Sequence, residues 1–280
     1  MLLPLVLWCA AAACHAADLR AELEGIAGRA QGRVGVAAVI LEGGETVSVQ
    51  GSGRFPMQSV YKLPIGMAVI NQVDRGVLRL DQTVRVERAE LVPAALHSPL
   101  RDRYLKGEVQ VSIRELLRYM VVESDGTACD VLLRAVGGAE RVTEYLRSID
   151  VRDIVVATSE MEMSRSHDVQ YRNWATPEGA LTLLRKVRDP RLLRFMTETG
   201  TGPHRLKGLL PAGTVVAHKT GTSGTSNGLT SATNDIGLIT MPDGRHIAIA
   251  VFVADSKVDT AVREGVIARA ARAVWDCWTR

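Results

Sequence analysis

The chain predicts an α/β fold of the α+β kind: one antiparallel sheet flanked by terminal helices, with an all-α lobe inserted. Three observations predict it. Apolar, Val-rich strand patterns stand near both ends of the chain, at Val34–Leu41 and Thr46–Gln50, and again at Thr214–Lys219, Asn234–Met241 and His246–Ala254. Helical periodicity fills the stretch between them. A long amphipathic segment, Asp259–Trp278, closes the chain. Strands so distributed pair most simply across the two ends, with the terminal helices covering the sheet. The expected division is 17–52 and 203–280 for the sheet lobe and 53–202 for the all-α lobe, with the active site in the cleft between lobes.

Residues 1–16 run from Leu2-Leu3-Pro4-Leu5-Val6-Leu7-Trp8 into small residues ending at Ala16. The apolar run is too short for a membrane span and reads as a signal peptide cut after Ala16, so the mature protein is expected in the periplasm or secreted. No Lys or Arg precedes the run; Arg20 is the first. A second reading makes Cys14 a lipid-anchored residue, and a third a short buried helix. Asp18 can cap a helix over Leu19–Arg29. The two N-terminal strands are joined by a turn at Gly43 and Gly44.

Phe55–Ile65 holds Ser59-Val60-Tyr61-Lys62 ahead of a dense apolar run, Leu63 to Val73. Ser and Lys at i and i+3 share a helix face. Pro64 fits a first turn, so the helix is expected to begin near Ser59. Its positive end favours negative charge developing at the hydroxyl. Asp81–Val86 reads as extended and His97–Lys106 as loop. Ser112 opens a helix that Ser124-Asp125-Gly126 interrupts. Thr127–Val136 ends at Gly137-Gly138, a strong stop. Glu140–Ile149 is amphipathic. Asp150–Ala175 lacks periodicity; a loop so long in a compact domain is usually functional. Pro177 starts a helix running to Arg185, and Asp189–Thr197 is a short one. Pro242-Asp243-Gly244 is a tight turn between the last two strands.

Composition narrows the function. The chain has 280 residues, and a formal net charge of +3 without a basic block or interleaved aromatics gives nucleic-acid binding no support. Of the four Cys, Cys9 and Cys14 fall in the leader. Cys129 and Cys277 are expected as buried free thiols rather than a disulfide framework. No Cys/His cluster has metal-ligand spacing, so no metal or cofactor is expected, and the expected state is a monomer without a membrane span.

Three short motifs stand in order: Ser59-Val60-Tyr61-Lys62, Ser124-Asp125-Gly126 and Lys219-Thr220-Gly221. Each alone is common. Together they resemble the serine β-lactamases and penicillin-binding proteins. Phe55-Pro56-Met57-Gln58-Ser59, Ala217-His218-Lys219-Thr220-Gly221-Thr222-Ser223-Gly224-Thr225 and Val169-Gln170-Tyr171-Arg172-Asn173-Trp174 are similar to an extended-spectrum subgroup of class A β-lactamases. That resemblance spans essentially the whole mature chain and implies a β-lactam substrate.

The resemblance also assigns roles. Ser59 is the nucleophile, a weak one until a base takes its proton. Either Lys62 or Glu160 is that base, and the sequence leaves this open. Lys62 qualifies if burial and nearby cations lower its pKa. The backbone N–H groups of Ser59 and Thr222 form the oxyanion hole. Ser124 passes a proton to the leaving nitrogen. Lys219, Thr220, Gly221 and Thr222 hold the substrate. In Ser159-Glu160-Met161-Glu162, counting back from Gln170-Tyr171-Arg172-Asn173-Trp174 puts Glu160, rather than Glu162, on the deacylating base. A D,D-peptidase or a non-catalytic penicillin sensor would lack this turnover.

Departures from the family pattern bear on specificity. Gly126 replaces an Asn that bonds the substrate side chain, and Ser164 replaces an Asn that helps hold the hydrolytic water. Thr158 occupies the Arg position of the pair that usually ties the long loop, implying the subgroup's altered loop. His97 stands where an aromatic lines the cleft; it either stacks on substrate or is a surface loop residue. Arg205 either reaches the substrate carboxylate, which suits a guanidinium, or is a surface helix residue. Gln58 and Ser223 replace the two Cys of a carbapenem-hydrolysing group, so that group's disulfide is absent.

Overall fold

The computed structural model of the protein describes residues 15–279. The expected leader, with Cys9 and Cys14, lies outside them apart from His15 and Ala16. In chain order come α1 (Ala16–Ala27), β1 (Arg33–Ile40), β2 (Val47–Val49), β3 (Phe55–Pro56) and α2 (Lys62–Asp74). β4 (Thr83–Val86), α3 (Pro99–Arg103), β5 (Val109–Ser112), α4 (Ile113–Val122), α5 (Gly126–Ala135) and α6 (Ala139–Ser148) follow. Next are β6 (Ile154–Val155), α7 (Glu160–Met163), β7 (Trp174–Ala175), α8 (Pro177–Leu184) and α9 (Pro190–Thr197). The chain ends with β8 (Val216–Thr222), β9 (Thr225–Ser226), β10 (Leu229–Thr230), β11 (Thr233–Thr240), β12 (His246–Ala254) and α10 (Thr260–Trp278).

The main sheet has the order β2-β1-β12-β11-β8. β1 pairs antiparallel with β12, Arg33 opposite Ala254 through Ile40 opposite Ile247, so the first and last long strands close the sheet. β12 is buried on both faces, which is why it reads as a continuous apolar run. Ile247, Ile249, Val251 and Val253 share a core with α1 and α10, while Ala248, Ala250 and Phe252 face the core built around α2. The second core holds Val60, Leu63, Ile65, Leu116, Met120 and Leu132, joining α2, α4 and α5.

Several elements differ from the sequence reading. Asp18 lies in the first turn of α1, where its charge suits the helix dipole, and His15 is at the cap position. Gln58–Tyr61 forms a 3₁₀ turn and α2 proper begins at Lys62, with Pro64 in its first turn. The stretch expected as loop, His97–Lys106, contains α3. Ser98 caps it by accepting from Arg101 N, with Pro99 behind it, a start signal that the polar composition obscured. Asp150–Ala175 contains two short strands, α7 and a 3₁₀ turn over His167–Arg172. Its polar side chains bond backbone, so side-chain periodicity carries no signal there. Cys129 is a buried free thiol, but Cys277 is disulfide-bonded, against the expectation of a free thiol.

Candidate active site

The 3₁₀ turn before α2, the break between α4 and α5, the long loop and β8 converge on a cleft of about 510 Å³. Ser59, Lys62, His97, Ser124, Glu160, Thr220 and Thr222 all line it. Two non-glycine residues beside it have left-handed backbones, Gln58 at φ 47° and Ser124 at φ 60°. Such conformations cost about 1–3 kcal/mol and persist where the surroundings over-determine them.

Lys62 is the hub. It is 1% exposed, and its Nζ donates to Ser59 Oγ at 2.7 Å and to the Ser124 carbonyl at 2.9 Å. Glu160 Oε1 lies 2.6 Å away. Three protons thus meet three oxygens. Burial pulls the Lys62 pKa down, but the Glu160 carboxylate and further groups pull harder, and the net direction is up. The condition under which Lys62 alone would serve as base, a lowered pKa, is therefore not met in the free protein. Lys219 is the opposite case: burial first, then the Lys62 charge, hold it well below its ordinary value. Its Nζ donates to Ser124 Oγ at 2.9 Å and to Thr220 O at 3.1 Å.

Glu160 is buried at the start of α7. The Asp130 carboxylate on α5 accepts from Glu160 N at 2.8 Å and Met161 N at 2.9 Å, fixing that start. Glu162 belongs instead to a capping box: it accepts from Ser159 N at 2.8 Å, and Ser159 Oγ accepts from Glu162 N at 3.2 Å. The two carboxylates two residues apart therefore do different things. Asp130 was not singled out in the sequence; the only signal was an acidic residue on the mostly apolar helix that follows Ser124.

Burial pushes the Asp130 pKa up to about 6, against the pull of its two backbone donors. An acid with a raised native pKa binds its proton more tightly folded than unfolded, so this group lowers stability as pH rises through about 4 to 6. The loss is on the order of 3 kcal/mol above pH 6. Denaturation of Asp130→Asn against the parent at pH 4.5 and pH 8 is expected to move in the variant's favour at the higher pH. An unchanged difference would refute the assignment.

The long loop is tied at its neck by an amide. Asn173 Oδ1 accepts from Ala157 N at 2.7 Å and Thr158 N at 3.0 Å, and its Nδ2 donates to Thr158 O at 3.0 Å. Thr158 Oγ1 donates to Glu162 at 2.9 Å. Hydrogen bonds rather than an ion pair to residue 158 thus tie the loop's neck. Asn173→Ala leaves three backbone groups unpaired, two of them buried, and is expected to cost about 2–4 kcal/mol, read by urea denaturation, with turnover falling more than acylation.

The remaining expected residues sit as follows. His97 lines the cleft and its Nε2–H donates to the Glu123 carbonyl at 2.8 Å, which orients the ring. Arg205 is buried under β8; it donates to Thr222 Oγ1 at 2.7 Å and to the Gly221 and Asn234 carbonyls, and pairs with Glu264 at 3.0 Å. It is no surface helix residue. Gly221 is a spacer: a Cβ there would lie 2.3 Å from the Met57 carbonyl beside the nucleophile's turn. Gly126 starts α5 and donates to His97 O at 2.9 Å; a Cβ there would lie 3.6 Å from Glu160 Cγ. Ser164 corrects the sequence reading. It is exposed, lies off the cleft lining, and donates its hydroxyl to Met161 O at 2.7 Å, so it does not face the space beside Glu160.

Gln58, Met163, Gln170 and Thr201 also line the cleft and were not assigned to it from the sequence. Gln58 Nε2 donates to Gln170 Oε1 at 2.5 Å, linking the nucleophile's turn to the long loop. No local pattern announces a bond between residues 112 apart.

A half-buried serine on a buried ammonium, with a carboxylate on the far side of it, defines a serine enzyme of the acyl-transfer class. The chain belongs to the β-lactamase enzyme family, which it matches over residues 18–278, and within it to the class A serine enzymes. It is 41% identical over 266 residues to the extended-spectrum β-lactamase PER-1 of Pseudomonas aeruginosa, covering 92% of this chain and 86% of that one. A crystal structure of a β-lactamase from Chitinophaga pinensis superposes with TM-score 0.89 at 46% identity, covering 92% and 98% of the two chains. The TLA-1 extended-spectrum β-lactamase superposes with TM-score 0.92 at 41% identity, covering 95% and 99%.

Proposed function

We propose that this β-lactamase opens the β-lactam amide through an acyl-enzyme on Ser59 and releases it with water activated by Glu160. The observation that carries the reading is the Lys62 Nζ, within hydrogen-bond reach of Ser59 Oγ and 2.6 Å from Glu160 Oε1. Lys62 and Glu160 act as one relay. Lys62 takes the Ser59 proton as its own passes to Glu160, so the buried ammonium never has to sit there as a free amine. Ser59 Oγ then bonds the carbonyl carbon, and the Ser59 and Thr222 N–H groups hold the oxyanion. As the C–N bond breaks, Ser124 protonates the nitrogen, with Lys219 Nζ behind its oxygen, and Ser124 is reprotonated by Lys62, which takes back the proton held on Glu160 and leaves Glu160 a carboxylate again. Glu160 next takes a proton from water, which attacks the ester, and Ser59 recovers its proton as the product carboxylate leaves.

Lys219, Thr220 and Thr222, with Arg205 behind Thr222, form the subsite for the substrate carboxylate, and His97 forms the opposite wall. Gly126 leaves the substrate side chain without an amide partner at that position, consistent with an extended spectrum like that named for PER-1 and TLA-1. The sheet lobe, 17–52 and 203–280, carries the carboxylate subsite, and the helical lobe, 53–202, carries the nucleophile and both bases. Export by a cleaved leader and a monomeric state complete the proposal. Among the described residues no helix is long and apolar enough to cross a membrane.

The test is a hydrolysis panel of a penicillin, a third-generation cephalosporin and a carbapenem, read by loss of β-lactam absorbance. Sustained turnover of the first two is expected. A stable one-equivalent adduct with no turnover would replace this reading with the penicillin-binding one.

A further inference from the structure

Behind the carboxylate subsite lies a buried pair with no part in the chemistry so far. His218 and Asp235 are both 0% exposed. They sit on neighbouring strands, β8 and β11, on the sheet face opposite the one toward which the Lys219 and Ile236 positions alternate. His218 Nδ1 is 2.9 Å from both Asp235 oxygens. Carboxylate oxygens only accept, so Nδ1 carries the hydrogen. His218 Nε2 is buried and no described residue bonds it. Asp235 is a buried carboxylate held by two donors, the ring N–H and the Leu206 N–H at 3.2 Å.

We infer that Asp235, oriented by His218, is a positioning residue of the carboxylate subsite: it fixes the turn that carries Arg205, and it is the buried anion that balances Lys219. This inference rests on the β-lactamase reading of the site.

The first half follows from Leu206, whose N–H bond to Asp235 comes immediately after the Arg205 Cα. A displaced turn would take the guanidinium off Thr222 Oγ1. The second half follows from the pairing of charges. Three buried cations surround the subsite: Lys62, Arg205 and Lys219. Lys62 contacts Glu160 and Arg205 contacts Glu264. Lys219 touches only neutral oxygens, those of Ser124 and Thr220, and Thr220 stands directly opposite Asp235 in the sheet register. The other titratable groups around it are Lys62 on α2, Glu160 on α7 and the Cys129 thiol on α5. Lys207, on the Arg205 turn, donates to Thr199 O, and Arg263 on α10 bonds Thr233. Burial and Lys62 push the Lys219 pKa down, and Asp235 is the first group pushing it back. An anion behind the sheet keeps Lys219 cationic without occupying the space in front, where the substrate carboxylate must sit.

The test is kcat and KM from pH 6 to 10, on a β-lactam bearing a free carboxylate, for the parent, Asp235→Asn and His218→Gln. Asp235→Asn keeps an acceptor for Leu206 N–H and loses the charge. Its KM is expected to rise about tenfold with kcat within about threefold, and the alkaline limb of kcat/KM to move down by about one pH unit. His218→Gln keeps the charge and is expected to keep the parental limb. Asp235→Ser replaces Asp235→Asn if the amide does not fold, with the same expectation. A parental limb in the charge-free variant, or an equal shift in His218→Gln, overturns the inference. A parent without turnover would instead remove the reading of the site itself, so the two failures are distinguishable.

Discussion

Ser59→Ala is expected to abolish turnover of a chromogenic cephalosporin, with kcat/KM falling on the order of 10⁴-fold or more. Lys62 Nζ would lose one of its three acceptors and keep Glu160 and the Ser124 carbonyl, so the variant should fold normally. The measurement is initial rate together with intact mass after incubation. No adduct should form, because the hydroxyl held against the Lys62 ammonium in the cleft has gone. Steady multiple turnover by this variant would sink the mechanism outright, since no other side chain in the site combines a hydroxyl with that relay.

Glu160→Gln separates the two halves of the reaction. The amide keeps the shape of the side chain, and the backbone bonds from Glu160 N and Met161 N to Asp130 do not depend on it. It cannot take a proton from water, so deacylation should slow by about 10²–10⁴-fold, the range for loss of a positioned general base. The expected readout is a burst of about one equivalent of product followed by a slow steady rate, with a mass adduct on Ser59. The same change removes the main group raising the Lys62 pKa. Lys62 then titrates lower, and acylation by the variant should survive best at alkaline pH, where Lys62 can itself accept the Ser59 proton. Acylation lost at every pH would mean that Lys62 cannot serve alone. A Glu162→Ala variant tests the capping reading: it loses the side-chain acceptor of the Ser159 N–H at a helix start and should cost about 1 kcal/mol of stability while keeping turnover.

The fold was legible because its signals are local and periodic. β12 is a continuous apolar run because both its faces are covered. Ser112, Asp189 and Asp259 sit at cap positions where they accept from the first-turn N–H groups. The long loop was legible only as an aperiodic stretch. Its order comes from Asn173 and Asp130 bonding backbone far away in sequence, and such bonds impose no period on the chain. Arg205 shows the same limit: from the sequence it could be a surface residue, and its burial comes from Glu264, 59 positions on.

For the site, the sequence alone determined which residue types were available and in what order: Ser59 and Lys62 one turn apart, Ser124 after a helix, Lys219 in a strand, and an acidic residue in the loop. Motif spacing carries that much because covalent connectivity and helix pitch fix it. Only the tertiary structure showed that Glu160 sits against Lys62 while Glu162 serves a cap, that Ser164 turns away from the cleft, and that Lys62 is held as an ammonium while Lys219 is pushed the other way. Those outcomes depend on burial and on charges brought within a few ångströms by packing. Neither quantity exists in a chain until it has folded, and together they set the opposite pKa shifts of two lysines 157 residues apart, Lys62 and Lys219.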